Sequence, residues 1–144
     1  MRSPTEPEMR VCLGYARREL LPPYDESYPT EAIIRIKNIV DNDLKIVKLG
    51  TTQDFVRWLD NGGSSLRYLE IIGAWVDGCI PFSVNEAINR GKDCRVDLDL
   101  VVLREESDDD TRQRIIEDRI RTLRTQNGYT VSRSSNYLNF CPIR

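Results

Sequence analysis

The alternation between Cys94 and Arg104 constrains this chain more than any other stretch. Val96, Leu98, Leu100 and Val102 fall at every second position, and Arg95, Asp97 and Asp99 fill the gaps. Successive side chains of a β-strand point to opposite sides, so a period of two predicts a strand with one apolar and one polar face. A strand covered on one face only suits an antiparallel or mixed sheet rather than a buried parallel one. The rest of the chain must therefore supply a layer over that apolar face.

Downstream, Ile115, Ile116, Ile120 and Leu123 recur at helical spacing and predict the longest helix, over 111–126. The run Asp108-Asp109-Asp110 suits its N-terminus and Asn127-Gly128 its end. Three adjacent loop aspartates are a weak metal signal by comparison. Tyr129–Ser132 and Tyr137–Phe140, around Ser134-Ser135-Asn136, read as a closing hairpin.

Upstream, Thr51 and Asp54 resemble a capping box, and Phe55, Trp58 and Leu59 continue a helix over 52–60 that stops at Asn61-Gly62-Gly63. The glycine-rich turn before Ser64-Ser65 lacks a phosphate-binding lysine and reads as a plain connection. Leu66, Leu69, Ile72, Trp75 and Val76 predict a second helix, over 65–77. Both tryptophans then sit on apolar stripes as core residues. Cys79–Phe82 reads as extended, and Ser83-Val84-Asn85-Glu86 as a capping box opening a short helix to Asn89. Between 31 and 49, Ile34 and Ile36 oppose Arg35 and Lys37. Asp41-Asn42-Asp43 supplies a turn, which predicts a β-hairpin.

This order implies an α+β domain over 31–144, with a mostly antiparallel sheet and helices packed on one face. Residues 1–30 hold five of the seven prolines and read as a flexible N-terminal arm, with Val11-Cys12-Leu13 a small apolar anchor.

Composition removes several chemistries. Histidine is absent, which eliminates His-based nucleophile pairs and the usual general base near neutral pH. Cys12, Cys79, Cys94 and Cys141 include no close pair, so reduced thiols are expected rather than zinc. The net charge of −2 argues against bulk electrostatic binding to nucleic acid or acidic lipid. No cofactor, metal or small-molecule substrate is expected. The longest apolar patch, Leu69 to Val76, is far too short to cross a bilayer, and no leader is expected. An enzyme using carboxylates such as Asp97 and Asp99 is a distant alternative, because both fall on the wet side of their strand.

Binding features remain. In Leu21-Pro22-Pro23-Tyr24-Asp25-Glu26 two prolines fix an extended backbone, the form that aromatic grooves of WW domains accept at little ordering cost. Leu21, Pro22, Pro23 and Tyr24 make a Leu-Pro-x-Tyr version of the usual Pro-Pro-x-Tyr core. Arg112, Arg114, Arg119, Arg121, Arg124 and Arg133 form a candidate basic surface. The bland reading beside it is a salt-bridged solvated face, with Glu117 to Arg121 and Arg114 to Asp118 at favourable spacing.

With its proline-tyrosine segment followed by hairpin, helices, strand, helix and hairpin, the chain resembles the matrix proteins of rhabdoviruses and related negative-strand RNA viruses. The resemblance implies a non-enzymatic assembly protein of host cytoplasm and virion, peripheral to membrane. It further implies self-association, contact with the viral nucleocapsid, and recruitment of host WW-domain proteins for budding. The alternative is a viral or cellular accessory protein that binds and redirects a host protein.

Overall fold

The computed structural model describes residues 6–14, 30–74, 76, 78–103, 109–121, 123, 125–126 and 128–143. Along these the elements are β1 (Met9–Leu13), α1 (Thr30–Asn42), β2 (Val47–Leu49), α2 (Thr52–Asp60) and β3 (Tyr68–Gly73). They continue with α3 (Cys79–Asn89), β4 (Asp93–Val101), α4 (Asp109–Ile120), β5 (Tyr129–Ser134) and β6 (Tyr137–Pro142).

One six-stranded sheet carries the fold, in the order β2-β1-β3-β4-β6-β5. Strands β2, β1, β3 and β4 pair in parallel, while β6 runs antiparallel to β4 and β5 antiparallel to β6. The α+β expectation of helices around one sheet holds. Antiparallel pairing holds for the β4-β6-β5 half and gives way to parallel pairing in the other.

Helices lie on both faces, which corrects the one-face expectation. Phe55 and Leu59 of α2, Val84 and Ile88 of α3, and Ile116 and Ile120 of α4 bury against one side of the sheet with Val11, Leu13, Leu69, Ile71 and Val96. Ile33, Ile36 and Val40 of α1 bury against the other with Cys12, Ile72, Leu100 and Val102. Topology explains this. From β1 the chain steps one way to β2, then back past β1 to β3. Right-handed connections in opposite directions place their helices on opposite faces.

The parallel half also explains the misread elements. Residues 31–42 form a helix because Ala32, Ile33, Ile36 and Val40 are buried at helical spacing, while Ile34 stays exposed. The expected hairpin at 31–49 is thus α1 followed by the short strand β2. Residues 68–73 form a strand, not a helix, and its last five residues are all buried. A central parallel strand is covered on both faces, so its sequence lacks alternation and, apart from Glu70, the buried residues 69–73 are apolar or glycine. The same holds for Val11-Cys12-Leu13, each fully buried. The supposed anchor of an arm is an inner strand between β2 and β3.

Helix α2 follows its sequence signals, with Thr51 Oγ1 accepting from the Asp54 N–H at 3.1 Å. Helix α3 starts at Cys79 rather than Ser83. Pro81 is tolerated there because the first turn needs no intrahelical N–H. Helix α4 ends at Ile120. Beyond it the Tyr129 hydroxyl donates to the Arg121 carbonyl at 2.9 Å and accepts from the Leu123 N–H at 2.7 Å.

Close to the sheet's centre, the pairing of β3 with β4 slips. Ile71 faces Val96 and Gly73 faces Val101, so β4 carries three extra residues there. Gly73 has φ +111°, and a Cβ at this position would lie 2.2 Å from the Leu13 carbonyl oxygen. Only glycine lets β1 and β3 approach at this point.

Candidate functional site

On the α1 side of the sheet, the helix covers only the half nearer the carboxyl ends of the parallel strands. The half nearer their amino ends carries polar groups in register. Arg10 of β1 faces Glu70 of β3, Glu70 faces Arg95 of β4, and Arg95 faces Asn139 of β6. Glu70 is 2% exposed. One of its carboxylate oxygens accepts from Arg10 Nε and the other from Arg95 Nε, the latter at 2.9 Å. A buried carboxylate is costly unless it is paired and hydrogen-bonded, and two guanidinium groups meet that demand.

Arg95 is held in turn from several sides. Its guanidinium lies 3.9 Å from the centre of the Tyr137 ring. Its Nη2 reaches Glu6 Oε2 at 3.4 Å. Burial works against the Arg95 charge, while the Glu70 hydrogen bond and field outweigh it and hold the group above its ordinary value. Tyr68 completes the row, donating to Asn139 Oδ1 at 3.1 Å, and burial pushes its phenol up.

Over Arg10, Glu70 and Arg95 lies an open cavity of about 520 Å³, bordered by the segment Glu6–Met9 and by Asp43, Lys45 and Ile46 of the α1–β2 turn. That volume falls in the small-ligand range. Glu8 has a structural task, its Oε1 accepting from the N–H groups of Arg67 and Tyr68 at 2.7 and 3.1 Å. Sequence reasoning passed over Arg10 and Glu70. The available signal was a single glutamate inside the apolar stretch Leu69–Val76, where a charge needs cationic partners on the adjacent strands.

The arginines expected to form a basic surface separate into different roles. Arg112 is 5% exposed and points into the β4 irregularity. Its Nη1 donates to the carbonyls of Leu98 and Val101 at 3.3 and 3.2 Å, and its Nη2 to Leu98 at 3.1 Å. It satisfies carbonyls that a regular ladder would have paired. Arg121 and Arg133 converge on Glu117, each at 2.8 Å, and Arg133 also reaches Gln113 at 2.5 Å. Gln113 in turn donates to Asp99 at 2.6 Å. Arg114 and Arg119 are exposed, and Arg124 lies outside the described residues. Among the described residues of the set, Arg112 is thus a buried plug, and Arg121 and Arg133 are ion-paired with Glu117.

The acidic residues of β4 also have structural partners. Asp97 Oδ1 accepts from the Asp99 N–H at 3.0 Å and from Asn136 Nδ2 at 2.7 Å, stapling the irregular strand to the β5–β6 turn. Asp97 is 5% exposed, contrary to the expected wet face. Burial pushes its carboxyl up, and the Glu70 charge adds to the effect.

The glycine-rich turn after α2 wraps a cation. Lys92 is buried and donates to the carbonyls of Gly63, Ser64 and Leu66 at 3.1, 3.1 and 2.6 Å. Carbonyls that face inward onto an ammonium cannot cradle a phosphate. Trp58 packs beside Phe55, ring centres 6.0 Å apart, while Trp75 lies outside the described residues. Among the described residues no group of three acidic or cysteine side chains is placed to hold a metal. None of their helices is long and apolar enough to cross a membrane.

Leu21, Pro22, Pro23 and Tyr24 lie outside the described residues, but both flanks are described. Gly14 follows the inner strand β1, and Thr30 opens α1. Of the arm expected over residues 1–30, Met9–Leu13 belong to the sheet as β1.

No family model, no curated protein and no solved structure matches this chain. Functional inference therefore rests on its own geometry. The element order that suggested a viral matrix protein included a hairpin over 31–49 and a helix over 65–77, and neither forms.

Proposed function

We propose that the protein is a non-enzymatic binding module that offers Leu21-Pro22-Pro23-Tyr24, which lie in the sequence between β1 and α1, to a WW-type partner. The observation that carries this reading is the position at which β1 ends. Gly14 sits at the carboxyl end of β1, where the chain turns toward β2 on one side while β3 lies on the other. In open sheets with parallel strands, ligands bind in the crevice at such a reversal point, outside the carboxyl ends of the strands. The support from architecture is by analogy; the chemistry comes from the proline pair and Tyr24.

The test uses the full chain and immobilised WW domains. Retention is expected for the wild type and its loss for Tyr24→Ala and Pro22→Ala. Equal retention of wild type and Tyr24→Ala removes the motif from the function.

A second reading, self-association, is favoured by the outer edge of β5. Among the described residues this six-residue strand pairs with β6 alone, and an unpaired edge is a template for a strand of another copy. Sedimentation across a range of protein concentrations tests it. A sedimentation coefficient that does not change with concentration would rule against it.

A further inference from the structure

Arg10 has donors that no described residue uses. Its Nε is committed to Glu70. Among the described residues nothing accepts from its two terminal nitrogens, and its side chain is 30% exposed at the cavity wall. A guanidinium stays charged at all relevant pH and presents these N–H groups as a planar fork matched to an oxyanion. Arg95, fixed by Glu70 and Tyr137, lines the same cavity, as does the exposed Lys45. Both guanidinium groups are thus oriented before any ligand arrives, which lowers the cost of binding.

The remaining charges narrow the class. Glu6, Glu8 and Asp43 line the cavity together with Glu70, against Arg10, Arg95 and Lys45. Four acids against three cations repel a polyanion such as nucleic acid or a polyphosphate. Glu70 is engaged by both arginines, and Glu8 by the backbone at Arg67 and Tyr68. A ligand that satisfies the Arg10 fork and tolerates the acidic surround carries one compact anionic group on a neutral or cationic body.

We propose that the cavity over Arg10, Glu70 and Arg95 is a binding site for a small carboxylate, of which an amino-acid-like zwitterion is the best matched. The carboxylate would take the free fork of Arg10 and approach Arg95, with any ammonium group toward Glu6 and Asp43. This site lies toward the amino ends of the parallel strands. It is separate from the connection proposed for partner binding, and neither proposal depends on the other.

Arginine Nε–Hε resonances of the wild-type protein test this directly. Titration with acetate and, separately, with glycine is expected to shift two of these resonances with saturation. Sodium chloride at equal ionic strength should not. The Arg10→Gln variant should bind about tenfold more weakly or not at all, as loss of a charge-assisted fork implies. Arg10→Lys, which keeps the charge without the fork, should retain weaker binding. Three results would overturn the proposal: no saturable shift with either carboxylate, an equal shift with chloride, or saturation by inorganic phosphate alone.

Discussion

Both terminal nitrogens of Arg112 donate to the carbonyl oxygen of Leu98, at 3.3 and 3.1 Å. The guanidinium from α4 thus plugs the one place where β4 leaves regular pairing with β3.

Removing that plug should destabilise the fold. Arg112→Ala leaves buried carbonyls at Leu98 and Val101 without donors, and a loss of about 3 kcal/mol is expected. Arg112→Lys cannot reach two carbonyls with a planar fork and should lose an intermediate amount. Arg114→Ala, on the exposed side of the same helix, should change stability by no more than about 0.5 kcal/mol. Urea unfolding of the three variants checks the ranking. Equal behaviour of Arg112→Ala and Arg114→Ala would place Arg112 at the surface.

Asp97 should impose a pH dependence of known sign. Its carboxyl is raised above the ordinary value of 3.8, mainly by burial. Between 3.8 and the folded value, the folded chain holds more protons at this site than the unfolded chain. Stability contributed here therefore falls as pH rises through that window. Asp97→Asn keeps an oxygen to accept from Asp99 and Asn136 but removes the charge. The variant should gain on the wild type near neutral pH, and the gain should vanish below about pH 3.8, where Asp97 is protonated in both states. Paired denaturation curves across pH measure the difference. A variant less stable at neutral pH would show that the ionised carboxylate is needed.

The four thiols should react in an order set by the sheet. Cys141 is exposed, Cys79 is half-buried, and Cys12 and Cys94 are buried. Burial pushes the Cys12 thiol up to about 12, and the Cys94 thiol higher still. Thiolate is the reactive form, so both should resist labelling while the protein is folded. Native titration with a disulfide reagent should modify Cys141 first and Cys79 next. Cys12 and Cys94 should react only in denaturant. Rapid labelling of Cys12 would deny β1 its inner position.

How far the fold can be read from sequence depends on exposure. The Thr51 cap, the hairpin strands around Ser135-Asn136 and the acidic start of α4 stand at boundaries or exposed faces, where residue type reports local geometry. The alternation expected over 94–104 does not survive, because the irregularity in β4 puts Val96 and Leu98 on one side of the sheet and Leu100 and Val102 on the other, with Asp97 buried. Strands β1 and β3 are covered on both sides, and Leu69-Glu70-Ile71-Ile72 carries no period to separate strand from helix. In α1, Ile34 and Ile36 suggest alternation, but Ile33, Ile36 and Val40 supply the face that packs. Arg112 and Arg114 are alike in sequence, and only the β4 irregularity separates a buried plug from a solvated arginine. Arg10 and Glu70 are 60 residues apart, so their pairing exists only once the parallel register is known.

Strand β1 lies inside the sheet, between β2 and β3, and the parallel register of Arg10 with Glu70 follows from that position. Native-state hydrogen exchange of the Val11, Cys12 and Leu13 amides tests it most directly. Exchange only through global unfolding, with protection equal to that of β3 and β4, is the expected result. Exchange at the rate of an unstructured peptide, while β3 and β4 stay protected, would contradict it.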